Sequence, residues 1–192
     1  MRKQITVVGV GALGSHVVQL VRNLDASIMV VDFDRIEQKN LLSQFHAKAH
    51  VGKLKTEAIT QTMNFLWGVP LSAKPTKLTF ENVGVLLKNS SLVIDCLDNG
   101  ASRRLVQEHV RKFKYPCLHG ALAANGSFGR VIWDEDFVID DETGQGGATC
   151  EDGAHLPFIA VVSSYISLAA QEFINNSKKV GFSISPAGAI RI

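Results

Sequence analysis

The chain has 192 residues, 46% of them hydrophobic, a formal net charge of +2 and three cysteines. This is enough apolar residue for one sizeable α/β core and excludes a disordered chain, and so small a charge gives no reason to invoke nucleic acid or a membrane surface. Cys96, Cys117 and Cys150 stand far apart with no C-x-x-C pair, which argues against a cysteine zinc site, and an odd count without a leader suits a reducing, cytoplasmic setting.

Residues 1–4 lead directly into a short β-branched run, 5–8, too brief for a signal core and broken at Gly9. No apolar run is read as approaching membrane-spanning length. Residues 13–21 carry apolar side chains at helical spacing, and 27–31 is the next strand, ending at Asp32. A helix follows over 55–66, then a strand over 71–78 in which Pro75 demands an edge position. A buried strand, 92–94, ends at Asp95; an amphipathic basic helix spans 101–113, and another strand begins over 117–119. Such alternation predicts a parallel sheet covered by helices. The last third differs. Stretches 126–133 and 180–185 resemble strands in hairpin contexts, the polar, Gly-rich stretch 139–153 reads as a mobile loop (around 139–155), and Pro157 opens a long apolar helix to about Asn175. The expected fold is α/β, a Rossmann-like sheet, parallel in its N-terminal part and antiparallel in its C-terminal part, with helices on both faces.

Gly9-Val10-Gly11-Ala12-Leu13-Gly14 is a G-x-G-x-x-G between a strand and a helix. Gly9 permits the tight turn, Gly11 lets phosphates approach the backbone, and Gly14 lets helix and strand pack closely. The helix N-terminus adds unpaired N–H groups and positive partial charge. Asp32, at the end of the next strand, stands where a ribose-binding acid is expected. The bland alternative is a strand–helix turn that binds nothing, and the motif alone does not separate NAD from ATP. Asp34 is an extra acid; it can help position magnesium or cap a helix before Ile36. Asp98, in Asp95-Cys96-Leu97-Asp98-Asn99, falls at the carboxyl edge of the sheet. An acid there, with a lysine nearby, suits Mg-ATP better than a nicotinamide.

These segments together resemble the ThiF/MoeB/HesA family, related to the adenylating domains of ubiquitin-activating enzymes. G-x-G-x-x-G, D-x-D (Asp32, Asp34), N-L-x-x-Q (Asn40 to Gln44), V-G-x-x-K (Val51 to Lys55) and D-C-x-D-N occur in the family's order. Thr149-Cys150-Glu151-Asp152-Gly153, then Pro157 and Ala170-Gln171-Glu172, resemble its cysteine loop and following helix. The resemblance implies one adenylating domain over 1–192, using ATP and Mg2+ to activate the C-terminal carboxylate of a small ubiquitin-like or sulfur-carrier protein ending in glycine. It implies a homodimer without nucleic acid or membrane. By the same resemblance Gly9, Gly11, Ala12, Leu13, Gly14, Asp32, Asp34, Asn40, Gln44 and Lys55 bind ATP, Lys55 and Asp98 are catalytic with Asp98 the magnesium ligand, and Cys150 can form a covalent bond to the acceptor. Arg103 matches an arginine after the D-N pair that can brace the loop.

The departures are specific. Ser43 stands where the family has an arginine, no N-terminal helix precedes the first strand to bring an arginine into a partner's site (Arg2 and Lys3 are the local candidates), and the zinc-binding cysteine pairs are absent. They keep a non-catalytic binding module as an alternative, and an NAD(P)-dependent oxidoreductase as a further one. The latter explains the glycine loop and Asp32, but not Asp34, Lys55 and Asp98 together. Cys150 can equally be an ordinary loop cysteine. Cys96 and Cys117 read as small core residues, His119 as structural, His16 as a helix-surface residue and Lys53 as a solvated charge.

Overall fold

The computed structural model describes residues 2–123, 125–139 and 153–192. Its elements are β1 (Lys3–Val8), α1 (Ala12–Leu20), β2 (Ala26–Val31), α2 (Lys55–Trp67), β3 (Leu71–Lys74), α3 (Val83–Leu87), β4 (Leu92–Asp95), α4 (Gly100–Phe113), β5 (Cys117–Leu122), β6 (Gly129–Trp133), α5 (Leu156–Asn176), β7 (Phe182–Ser185) and β8 (Gly188–Arg191). Short 3-10 turns cover Gln38–Leu42, Lys48–His50 and Asp134–Asp136. One eight-stranded sheet runs β3-β2-β1-β4-β5-β6-β7-β8. β3 through β5 pair in parallel, and β5 through β8 antiparallel.

Strand alternation builds two cores. Ile5 and Val7 of β1, Val30 of β2 and Ile94 of β4 point to a face covered by α1, α2 and α5. Val8, Val31 and Val93 point to the opposite face, packed by Leu87 of α3 and by Val106 and Val110 of α4. This is the period-two consequence of a doubly covered sheet.

Sequence and structure differ at several elements. β3 stops at Lys74, one residue before Pro75, because proline has no N–H to continue the ladder; it lies at the sheet edge, as that proline demanded. The short α3 and the final hairpin strand β8 have too few residues for periodicity to announce them. The hairpin context of β6 begins at Gly129 rather than at Gly126. Finally, α5 is long and apolar enough to cross a membrane, against the expectation that no run approaches that length. Its apolarity is accounted for within the fold: Ile159, Val162, Ile166 and Ile174 are buried in the core beside α1.

Candidate functional site

The order of the strands reverses between β1 and β4. Chains running outward from that point leave a crevice at the carboxyl ends of the strands, where α/β sheets bind ligands. A cavity of about 700 Å³ opens there. Gly9, Gly11, Ala12, Leu13, Asp32, Asp34, Asn40, Gln44, Lys55, Asp98 and Arg103 all line it. Gly14 does not: it sits behind the wall, where an added Cβ would fall 1.9 Å from the Gly9 carbonyl oxygen. Its role is close packing of α1 on the sheet. Cys150 and most of the 139–155 loop lie outside the described residues.

The glycine loop is held from both sides. Gly9 has φ +86, a left-handed conformation that glycine adopts without strain. The Val10 N–H donates to Asp32 Oδ2 at 2.7 Å, and the Asp34 N–H donates to Asp32 Oδ1 at 2.8 Å. Burial pushes the Asp32 carboxyl above its usual range, while Lys55 and these two N–H groups pull it down. On the other side the Val10 carbonyl faces His46 Nε2 at 3.1 Å. Since a carbonyl only accepts, Nε2 carries the proton. Burial lowers the His46 pKa to about 4, so the ring is neutral. Two more bonds fasten the 43–46 segment to α1: the Phe45 N–H donates to Ser15 Oγ at 2.9 Å, and His16 Nε2 meets the Ser43 carbonyl at 3.1 Å. His16 is therefore half-buried and anchors the segment, rather than facing solvent from the helix.

This segment carries the polar residues of the far wall. Asn40 is buried, and its Oδ1 accepts from the Glu37 N–H at 2.8 Å, closing the 3-10 turn. Gln44 Oε1 is buried without a hydrogen-bond partner among the described residues. Lys55, the first residue of α2, is buried, and its Nζ pairs with Asp34 Oδ2 at 2.9 Å. Asp34 thus serves Lys55; no helix begins at Ile36 for it to cap. Asp98 is exposed at the mouth, beside Asn99, which caps α4 by accepting from the Ser102 N–H at 2.9 Å. Ser43 is buried with its hydroxyl unpartnered among the described residues, and it does not line the cavity. Arg2 and Lys3 lie at the opposite end of β1, bonded to Asp25 and to the Ile174 carbonyl. They are remote from this cavity within the same chain.

Beneath the β4–α4 turn lies a charged network that sequence reading missed. Asp95 is fully buried and accepts from His119 Nδ1 at 2.7 Å and from Arg103 Nη1 at 3.4 Å. His119 Nε2 reaches Asp134 Oδ1 at 3.0 Å, and Arg111 Nε donates to Asp134 Oδ2 at 2.9 Å. Phe137 stacks on the His119 ring with centroids 4.0 Å apart. The register pairs Asp95 with His119 across β4 and β5; a strand-end acid and a histidine on the next parallel strand were the available signal. Burial opposes the charge on His119, but the Cys117 sulfur, Asp134 and Asp95 raise its pKa to about 11. Burial likewise opposes ionisation of Asp95, and Arg103 and His119 more than offset it, holding that carboxyl low. Cys96 and Cys117 are buried, and burial pushes both thiols up, which makes them inert.

The folded pKa of His119 is raised, so its contribution to stability is complete below about 6.5, its ordinary value, and fades as pH climbs toward the folded value. Parent protein should therefore exceed His119→Gln in melting temperature most near pH 6, with the gap narrowing through pH 10. A constant gap over that range would contradict a charged His119.

A profile of the ThiF family matches residues 1–185. The chain is 28% identical over 178 residues to the adenylyltransferase and sulfurtransferase UBA4 of Meyerozyma guilliermondii, an overlap of 88% of this chain and 42% of that protein. It is 35% identical over 126 residues to the sulfur carrier protein adenylyltransferase of Thermus thermophilus, covering 63% of this chain and 46% of that one. Among solved structures, E. coli MccB with ATP matches with a TM-score of 0.80 at 14% identity, over 99% of this chain and 62% of that chain. The last similarity is one of fold. The chain spans less than half the length of those two curated relatives.

Proposed function

The chain belongs to the ThiF family, and on that premise we propose that it binds Mg-ATP in this cavity and adenylates the C-terminal carboxylate of a small ubiquitin-like or sulfur-carrier protein. The observation that carries the reading is convergence: the glycine loop, Asp32, Asn40, Gln44, Lys55 and Asp98 come from separate stretches of chain and meet in one cavity. Its volume lies within the range of about 300–1,000 Å³ usual for small-ligand sites.

Two features suit a nucleoside triphosphate. In front of the α1 N-terminus, a Cβ added to Gly11 would have only Gln44 Nε2 near it, at 4.0 Å, so the glycine keeps space open where phosphates would meet backbone N–H groups. The unpartnered Gln44 Oε1 offers an acceptor to a ligand hydroxyl or acceptor amide. Asp98 is the exposed carboxylate that would hold magnesium, which supplies neutralising charge to the phosphates when bound.

In the proposed reaction a carboxylate oxygen of the acceptor attacks the α-phosphorus. The bond to the β-phosphate's bridging oxygen breaks, and pyrophosphate leaves with the electron pair. The attacking carboxylate is already ionised at neutral pH, so no general base is required. Lys55 and the loop N–H groups oppose the charge that builds on the phosphate oxygens. A thioester step, in which the Cys150 thiolate attacks the acyl-adenylate and AMP leaves, and homodimer pairing belong to the same reading and rest on the family resemblance; a cytoplasmic setting rests on the cysteine usage.

Asp98→Ala tests the reading at its most exposed point. Removing an exposed side chain leaves stability within about 0.5 kcal/mol of the parent. Mg-dependent ATP binding, followed by calorimetry, is expected to fall at least tenfold on the scale of a lost metal ligand or its supporting shell. Unchanged affinity would remove Asp98 from the site. ATP binding by the parent without pyrophosphate exchange toward any Gly-ending carrier would favour the non-catalytic module, a reading that the buried, cavity-averted Ser43 also suits.

A further inference from the structure

Both ring nitrogens of His119 face carboxylate oxygens, Nδ1 toward Asp95 Oδ2 at 2.7 Å and Nε2 toward Asp134 Oδ1 at 3.0 Å. A neutral imidazole has one N–H and one lone pair, so one of these contacts would set lone pair against lone pair. Two charge-assisted donors satisfy both. The ring is completely buried.

The two carboxylates lead to two separate segments of the cavity wall. Asp95 Oδ1 accepts from the Leu97 N–H at 2.9 Å, and Asp95 Oδ2 pairs with Arg103, which also donates to the Leu97 and Gly120 carbonyls. These bonds fix the turn that presents Asp98. The Asp134 carbonyl accepts from the Phe137 N–H at 3.2 Å, while Gln107 and Arg111 bind the Asp134 side chain and the Phe137 carbonyl together. Phe137 lines the cavity and lies flat on the histidine.

We propose that His119 is a positioning residue: a buried imidazolium that ties the Asp98 turn to the Phe137 wall and so sets the carboxylate where magnesium is to be held. The proposal rests on the Mg-ATP reading above. It assigns His119 no contact with the substrate.

The test is calorimetric titration of the full chain with ATP, once with excess magnesium and once with chelator, for the parent, His119→Gln and Asp134→Asn. Glutamine can reach one carboxylate but cannot donate to both. Asparagine keeps an acceptor for Nε2–H and loses only the charge, so it is the milder variant and carries the test if His119→Gln does not fold. The expected result is a loss of magnesium-dependent affinity of about tenfold for His119→Gln, as for supporting partners of metal ligands, with a smaller loss in the same sense for Asp134→Asn. Affinity in chelator should stay within about twofold of the parent, because the glycine loop and Asp32 are anchored elsewhere. Equal losses in both conditions would make His119 a general structural residue, and an unchanged magnesium dependence in a folded variant would likewise overturn the proposal. A parent that fails to bind Mg-ATP at all would overturn the function reading, and this inference with it.

Discussion

Lys55→Ala is expected to lower pyrophosphate exchange with a Gly-ending carrier by about 10²–10³-fold, the loss typical of removing one preorganised donor from developing charge, while the protein stays folded. The lysine enters the cavity from the first turn of α2, and its side chain is 8% exposed. In that setting its charge acts through little water, and it costs no reorganisation when the phosphate oxygens gain charge. Its ion-pair partner is less constrained: Asp34 is 46% exposed, so water can solvate the carboxylate left behind, and the stability lost with the pair is small. A second consequence separates this variant from a generic loss. Lys55 is among the groups that hold the Asp32 carboxyl down against burial. Without it Asp32 protonates at a higher pH, so residual ATP binding should fail sooner as the solution is acidified. Exchange within a few-fold of the parent would remove Lys55 from the chemistry.

Two glycines of one motif should fail in opposite ways. At Gly14 a Cβ would stand 1.9 Å from the Gly9 carbonyl oxygen, a backbone atom that cannot swing aside. Gly14→Ala must push α1 off the sheet, at a cost of at least about 1–3 kcal/mol as for other overpacked sites, and the glycine loop moves with it. At Gly11 the same methyl meets only a glutamine side chain 4.0 Å away. Gly11→Ala should therefore melt within a few degrees of the parent and yet lose Mg-ATP affinity about tenfold or more, because the methyl occupies the space in front of the helix N-terminus. Thermal melts and ATP titrations of the two variants check this together. A Gly11→Ala protein of parental stability that also binds ATP as the parent does would mean that the phosphates do not approach this loop.

The contrast shows what the sequence could disclose. The G-x-G-x-x-G with Asp32 at the next strand end predicts the loop, the turn and the parallel sheet, because each glycine answers a local requirement of the backbone. Asn40 with Gln44, Lys55 and Asp98 come from three stretches of chain, and only the family resemblance pointed to them as a set; the strand-order reversal between β1 and β4 explains why they share a cavity. The His119 network was only partly legible, for a different reason. Its partners Asp95, Asp134 and Arg111 come from β4, a 3-10 turn and α4, and no local spacing announces a contact set by register between neighbouring strands. His46 likewise reads as one more histidine until the fold turns its ring onto the Val10 carbonyl. Asp34 shows the converse: it reads as a ligand or a cap, but no helix begins at Ile36, and the chain returns Lys55 to its side at the cavity wall.

On the proposed reading this cavity takes a magnesium-bound nucleoside triphosphate. The most direct measurement is calorimetric titration of the full chain with Mg-ATP and, separately, with NAD and NADP. The expected result is saturable binding of Mg-ATP that weakens when magnesium is chelated, with neither dinucleotide competing for the site. Binding of NAD or NADP without Mg-ATP would contradict it, and would make Asp32 the ribose acid of an oxidoreductase.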